Sequence, residues 1–138
     1  MIIFHVVSLR RLVTTSVRAL VDFLTTKQPM KDLNMLYELR TYDVKPGLLA
    51  DYLKLFNDVG MPVRKPQNNL VGFWFTEIGE LSQVIHIWQY ESYDQRTAIR
   101  AQLMNNPQWT QDFLLKAMPM LTRMTSVIMS GAQFSPLK

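Results

Sequence analysis

The sequence contains no cysteine, and histidine occurs only twice, as His5 and His86. Without thiols there are no disulfides, no thiolate nucleophile and no cysteine metal site, so a disulfide-stapled secreted scaffold does not fit. Two histidines would leave a metal site dependent on carboxylates; no zinc or non-haem iron centre is expected, nor any other cofactor. Glycine is limited to five residues, and none of them builds a phosphate-cradling loop. Apolar runs are short as well. A membrane span needs about 20 predominantly apolar residues, and the arginines at positions 10, 11 and 18 interrupt the best candidate.

Acidic residues are scarce at one end of the chain. Residues 1–29 hold Arg10, Arg11, Arg18 and Lys27 against Asp22 alone, whereas the remainder carries 11 bases and 10 acids. The formal charge of +4 therefore belongs mostly to the N-terminal segment. A nearly neutral body lacks the basic face that nucleic acid demands, so nucleic acid is not an expected partner.

What the sequence does contain is enough apolar material for one domain: 48% of 138 residues are hydrophobic, which suits a single globular core and is too short a chain for two ordinary domains. The segment "MIIFHVVSLRRLVTTSVRALVDFLTTKQP" places Arg10, Arg11, Thr14, Arg18 and Asp22 on one helical arc and Leu9, Leu12, Val13, Leu20 and Phe23 on the other. Basic, amphipathic and poor in acids, residues 1–33 read as a leader that directs the chain to mitochondria. The competing readings are a helix packed on the domain and an untranslated or disordered leader ahead of Met30 or Met35. The expected location is mitochondrial, in the matrix or in peripheral contact with a membrane, and cytoplasmic if the leader is no address.

Residues 34–138 alternate between two periodicities. "MLYELRTYDV" has a period of two, with Leu36, Glu38, Arg40 and Tyr42 on one face and Tyr37, Leu39, Thr41 and Asp43 on the other. After "KPG" comes a helical pattern from Leu48 to Val59, which Gly60 and Pro62 are expected to end. "LVGFWFTEIGELSQVIHIWQYES" reads as two strands joined in a hairpin around Gly79. Val71, Phe73 and Phe75 share one side of the first of these strands, opposite Trp74, and Val84, His86, Trp88 and Tyr90 oppose Ile85 and Ile87 on the second. Ser92 or Asp94 can cap a helix through Arg96, Ile99, Arg100 and Leu103. "NNP" breaks that helix, a further one runs from Trp109 to about Met120, and "TRMTSVIMSGAQF" supplies a last strand. The order β, α, β, β, α pair, β predicts an α+β, ferredoxin-like βαββαβ fold with helices on one face of an antiparallel sheet. The other face is too apolar for a wetted one, and a second copy of the chain in a two-fold homodimer is its expected cover.

The stretches "YELRTYDVKPG", "LVGFWFTEIGELSQVIHIWQYESYDQR" and "PQWTQDFL" together resemble the NIPSNAP domain, and the closing "FSPLK" is similar to the C-terminal end of animal members. The resemblance covers Leu36 to Lys138. It implies a dimeric α+β barrel, an association with mitochondria, and adaptor roles in membrane traffic and mitochondrial clearance without established catalysis. Animal members usually carry two such modules, and this chain has one.

Read on their own chemistry, Glu38, Arg40, Trp74, Glu77, His86 and Trp88 are the candidate pocket residues. Arg40 could pair with Glu38 or Glu77, or offer its planar fork to an anion. His86, in mid-strand, is a structural hydrogen-bonding group, a ligand contact, or a general acid or base; the first reading is favoured and no catalytic residue is assigned. Trp74, Trp88 and Trp109 read as core anchors. Two functions follow. The preferred one is a non-catalytic dimeric module that binds other proteins or a small hydrophobic ligand. The alternative is a small barrel enzyme of monooxygenase type acting on a hydrophobic aromatic ligand, which requires an enclosed cavity of a few hundred Å³ beside His86.

Overall fold

A computed structural model describes residues 35–137. The leader expected at residues 1–33, and the targeting role assigned to it, lie outside the described residues.

Strand β1 (Leu36–Val44) sits at the middle of a four-stranded antiparallel sheet of order β2-β3-β1-β4, with β2 at Leu70–Phe75, β3 at Gln83–Tyr90 and β4 at Leu121–Ser130. This is the ferredoxin-like arrangement that the element order predicts. Its period of two separates the side chains cleanly. The rows Phe73, His86, Arg40, Ser126 and Trp88, Glu38, Ile128 face the helices, whereas Trp74, Ile85, Thr41, Thr125 and Gly72, Ile87, Leu39, Val127 face outward.

A register shift between Leu70 and Gly72 leaves Val71 as the extra residue in β2. Val71 consequently joins Ile87 and Tyr37 on the outer face, not Phe73 on the inner one. Period-two reading alone cannot anticipate a bulge. Beside it, Gly72 has a specific use: a Cβ there would collide with the ring of Trp74, which folds back over the glycine.

The first helical run is longer than expected. It starts as Leu49–Leu55, widens to a five-residue π turn at Phe56–Gly60, continues as Met61–Arg64 and tightens to a 3-10 turn at Lys65–Gln67; we label the whole run α1. Neither Gly60 nor Pro62 ends it. In the wide turn the Met61 N–H reaches back five residues to the Phe56 carbonyl, and Pro62, which has no N–H to donate, falls where the spacing changes. Gly60 instead permits close packing, since a Cβ there would lie 3.2 Å from the Phe113 ring.

Helix α2 (Tyr93–Met104) is capped by Ser92, whose Oγ accepts the Gln95 N–H at 3.1 Å; Asp94, two residues on, lies within the first turn and is exposed. The next run, α3, comprises Gln108–Leu114, Leu115–Ala117 and Met118–Met120, and Asn106 Oδ1 accepts the N–H groups of Gln108 and Trp109 at its start. The hairpin turns through Gly79, at φ +97°.

The core fills the space between sheet and helices. Phe56 of α1 meets Phe73 at 4.7 Å and Phe113 of α3 edge-on at 5.3 Å, with Tyr52, Val84, Trp88 and Tyr90 completing the cluster. Each fully buried aromatic or branched side chain contributes about 1.5–3 kcal/mol, so this cluster is the main term holding helices to sheet. Among the described residues no helix is long and apolar enough to cross a membrane, and no group of three or more His, Cys, Asp or Glu could hold a metal ion.

Candidate functional site

Glu38 is an acid on the inner face of the central strand, and its side chain is fully buried. A buried carboxylate must be surrounded by donors, and it is. Arg96 of α2 grips it with two bonds, Nη2 to Oε1 at 2.7 Å and Nε to Oε2 at 3.1 Å. Arg40 Nη1 at 3.1 Å, Ser126 Oγ at 2.8 Å and Tyr90 Oη at 3.3 Å complete the shell. Burial alone would raise the Glu38 pKa. The hydrogen bonds from Arg96 and Ser126 and the charges of Arg40 and Arg96 outweigh it and hold the carboxyl at about 2. Glu38 is thus a permanent anion that ties β1 to β3, β4 and α2.

His86 lies two residues from Trp88 on one face of β3, and that spacing brings the two rings together. The Trp88 indole N–H donates to His86 Nδ1 at 2.5 Å. An indole nitrogen can only donate, so Nδ1 carries a lone pair and the ring proton resides on Nε2. Phe73 stacks on the imidazole at 4.9 Å with the planes 7° apart, and Tyr42 meets it edge-on. Burial, followed by the neighbouring charges of Arg40 and Arg64, pushes the His86 pKa down to about 3. His86 is a neutral ring with one buried donor, Nε2–H, that has no partner.

Arg64, near the end of α1, lies with its guanidinium 3.6 Å from the centre of the Trp88 ring, on the opposite duty from a surface charge: it is 5% exposed. Its Nη2 reaches Asn69 Oδ1 at 3.5 Å. Together with Arg40, His86 and Trp88 it borders a cavity of about 60 Å³ between the sheet and helices α1 and α3, whose walls include Tyr52, Phe56 and Phe113 and whose rim includes Arg100, Met118 and Met124. Burial also raises the pKa of Tyr42 and Tyr52, so both phenols on this cavity stay protonated at neutral pH.

Of the six candidate residues, the structure gathers Glu38, Arg40, His86 and Trp88 on the inner face. Trp74 is separated from them, because its odd register puts it on the outer face of β2, where it is 50% exposed and anchors no core. Glu77 is separated as well, since β2 ends at Phe75 and Glu77 is exposed in the hairpin turn. Arg40 accordingly pairs with Glu38 and not with Glu77. Arg64, Arg96 and Arg100 were absent from the candidates. Arg96 could have been found: it occupies the same stripe as Ile99 and Leu103, at i, i+3 and i+7, so its charge points inward and needs a buried acid. Arg100, one turn further along the same helix, is at the cavity rim. Arg64 had no such signal: it falls beyond Gly60 and Pro62, which are expected to end the helix, in the polar stretch "VRKPQNN".

The outer face has a different character. Leu39, Ile85, Ile87, Val127 and Met129 form an apolar patch across three strands, flanked by Trp74, and Val127 is 51% exposed. Ser135 and Leu137 border one end of it beside Tyr37 and Met129.

A four-stranded antiparallel sheet, helices on one face and a central first strand define a ferredoxin-like protein of the dimeric α+β barrel fold class. The NIPSNAP family model matches residues 37–136, and the chain belongs to the NIPSNAP family. It is 32% identical to the protein NipSnap homolog 3B of Mus musculus over 88 residues, covering 63% of this chain and 35% of that one. The chain thus spans about a third of the length of the curated relatives it matches. Among solved structures, a NIPSNAP family protein of unknown function from Agrobacterium tumefaciens is 40% identical with a TM-score of 0.73, covering 78% of this chain and 96% of that one. A dimeric ferredoxin-like protein from an uncultured marine organism, 12% identical with a TM-score of 0.59 over 79% of this chain and 99% of that one, shares the fold.

Proposed function

We propose that this NIPSNAP module is a non-catalytic binding unit that works as a homodimer in mitochondria, serving as an adaptor in membrane traffic or mitochondrial clearance, with the inner cavity open to a small ligand. The observation that carries the reading is the outer sheet face. Ile85, Ile87, Leu39, Val127 and Met129 are contiguous and apolar where a solvated antiparallel sheet would alternate with charges. A two-fold copy covers such a face with the least demand on other partners, since one patch serves both sides. The inner site supports the absence of catalysis in this reading. The Nδ1 lone pair of its histidine is occupied by Trp88, its acid is held as a fixed anion, and the cavity is well below the roughly 300–1,000 Å³ of ordinary small-molecule sites, which also weighs against the monooxygenase alternative.

Light scattering on the full chain at micromolar concentration tests this. The wild type should elute at twice the chain mass of 16.1 kDa, and Val127→Lys, which adds a charge within the patch at its most exposed apolar strand residue on β4, should elute as a folded monomer. A monomeric wild type at micromolar concentration overturns the dimer.

A further inference from the structure

The inner site holds more positive charge than it neutralises. Glu38 is the sole carboxylate in ion-pair contact with the cluster among the described residues, and both of its oxygens are already engaged, Oε1 by Arg40 and Arg96 and Oε2 by Arg96 and Tyr90. Arg64 is buried beside them, and no carboxylate among the described residues lies within ion-pair distance of it. A guanidinium does not shed its proton, so burial leaves it charged and in need of an anion or of hydrogen-bond acceptors. Its acceptors are Asn69 Oδ1, at the limit of hydrogen-bonding length, and the hydroxyl of Tyr90, which itself donates to Glu38; with the face of an indole these are its contacts, and none of them carries a charge.

Unused donors are concentrated at the same place. The buried Nε atoms of Arg40 and Arg64 and the Nε2–H of His86 all lack partners, and all three residues line the cavity. Buried donors without partners are uncommon in folded proteins, and three on one small cavity is a pattern that calls for an acceptor there. No aspartate or glutamate lines the cavity to supply it. The remaining walls are aromatic and aliphatic, which disfavours a strongly hydrated dianion such as phosphate. A planar, singly charged head on an apolar body fits both the donors and the walls. Met118 and Met124, about half exposed at the rim, provide a soft exit for that body.

We propose that the cavity between sheet and helices binds the carboxylate of a small monocarboxylic acid, with Arg64, Arg40 and His86 as its donors and its apolar tail leaving between Met118 and Met124. The proposal rests on the module being a binder but not on its being a dimer.

The experiment titrates the full chain with butyrate and benzoate, and with their neutral counterparts butyramide and benzamide, following heat by calorimetry and the emission of Trp88 and Trp109 at the cavity wall. At least one acid should bind saturably, and about tenfold or more tightly than its amide, the factor expected when a charge-assisted hydrogen bond is lost. Arg64→Gln should abolish the difference between acid and amide. Since that buried site is sensitive to substitution, Met118→Trp supplies an independent arm: residue 118 is at the rim, the variant should melt like the wild type, and it should weaken the acid about tenfold by filling the exit. Equal binding of acid and amide, no saturation by about 10 mM, or undiminished binding to Met118→Trp overturns the proposal. Light scattering on the same samples reads the dimer separately, so failure of one leaves the other standing.

Discussion

His86 couples stability to pH in a way that can be calculated from its surroundings. In the folded chain its pKa falls from 6.5 to about 3, because the ring is buried and faces Arg40 and Arg64. The unfolded chain therefore takes up this proton first as the solution is acidified. The contribution is fully present above pH 6.5 and is lost progressively as pH falls toward 3. Between pH 7 and pH 5 the loss is about 2 kcal/mol, or on the order of 10 °C in Tm for a domain of this size. That window lies above the range in which Glu38 titrates, from 4.5 down to about 2, so the two groups can be separated. Thermal melts at fixed protein concentration, at half-unit steps from pH 7 to pH 5, should show the decline in the wild type. His86→Gln keeps an acceptor for the Trp88 indole N–H but has no proton to take up, and its melting temperature should change much less over the same range. His86→Leu should also lose the slope. It leaves the buried indole N–H unpaired, and should be less stable than the glutamine variant by about 1–3 kcal/mol. Parallel pH curves for the wild type and His86→Gln would refute the neutral, buried assignment of this ring.

Glu38→Gln should destabilise the fold by about 3–5 kcal/mol in urea titrations, because one side-chain oxygen cannot satisfy the donors of Arg40, Arg96, Ser126 and Tyr90; a cost below 1 kcal/mol would mean that the cluster is hydrated. Ser92→Ala should cost about 1 kcal/mol and Asp94→Ala distinctly less, since Ser92 is the residue that accepts the Gln95 N–H. Residues 1–29 fused to a fluorescent reporter should send it to mitochondria, and replacing Arg10, Arg11 and Arg18 together by glutamate should leave it diffuse; a reporter that stays diffuse with the intact segment removes the targeting proposal.

Most of the fold is legible from periodicity because one physical cause dominates each element. The alternation in "LYELRTYDV" and "QVIHIWQY" is the direct image of a sheet with two distinct faces, and Gly79 marks its hairpin by a conformation that costs glycine little. Departures come where a local signal competes with tertiary packing. Gly60 and Pro62 carry the local mark of a helix end, yet the approach of Phe113 and the wide turn at Phe56–Gly60 carry the helix through them. Val71 is displaced by a bulge, which leaves no trace in an alternating string. Of the site, the strand residues Glu38, Arg40, His86 and Trp88 could be grouped because shared parity on paired strands implies a shared face. The helix residues could not be so grouped. Arg96 meets Glu38 from 58 positions away in sequence and Arg64 lies over the ring of Trp88, and only the packing of the helices decides which of these strand residues they reach.

The central position of β1 has a consequence for how the chain is made. β1 is the first strand of the described domain, but one of its two edges is filled by β4, whose residues pair with it across more than 75 positions, as in Asp43 with Arg123. Until that last strand has been synthesised, β1 has at most one neighbour, and its other edge presents bare backbone groups that any extended segment can cap. Long-range closure of this sort is slow, because the loop entropy is lost before the contacts form. Ser126 then adds its bond to Glu38 in the same event. A ribosome stalled before β4 would therefore display an incomplete sheet with an unpaired central strand, the kind of surface on which partly made chains aggregate.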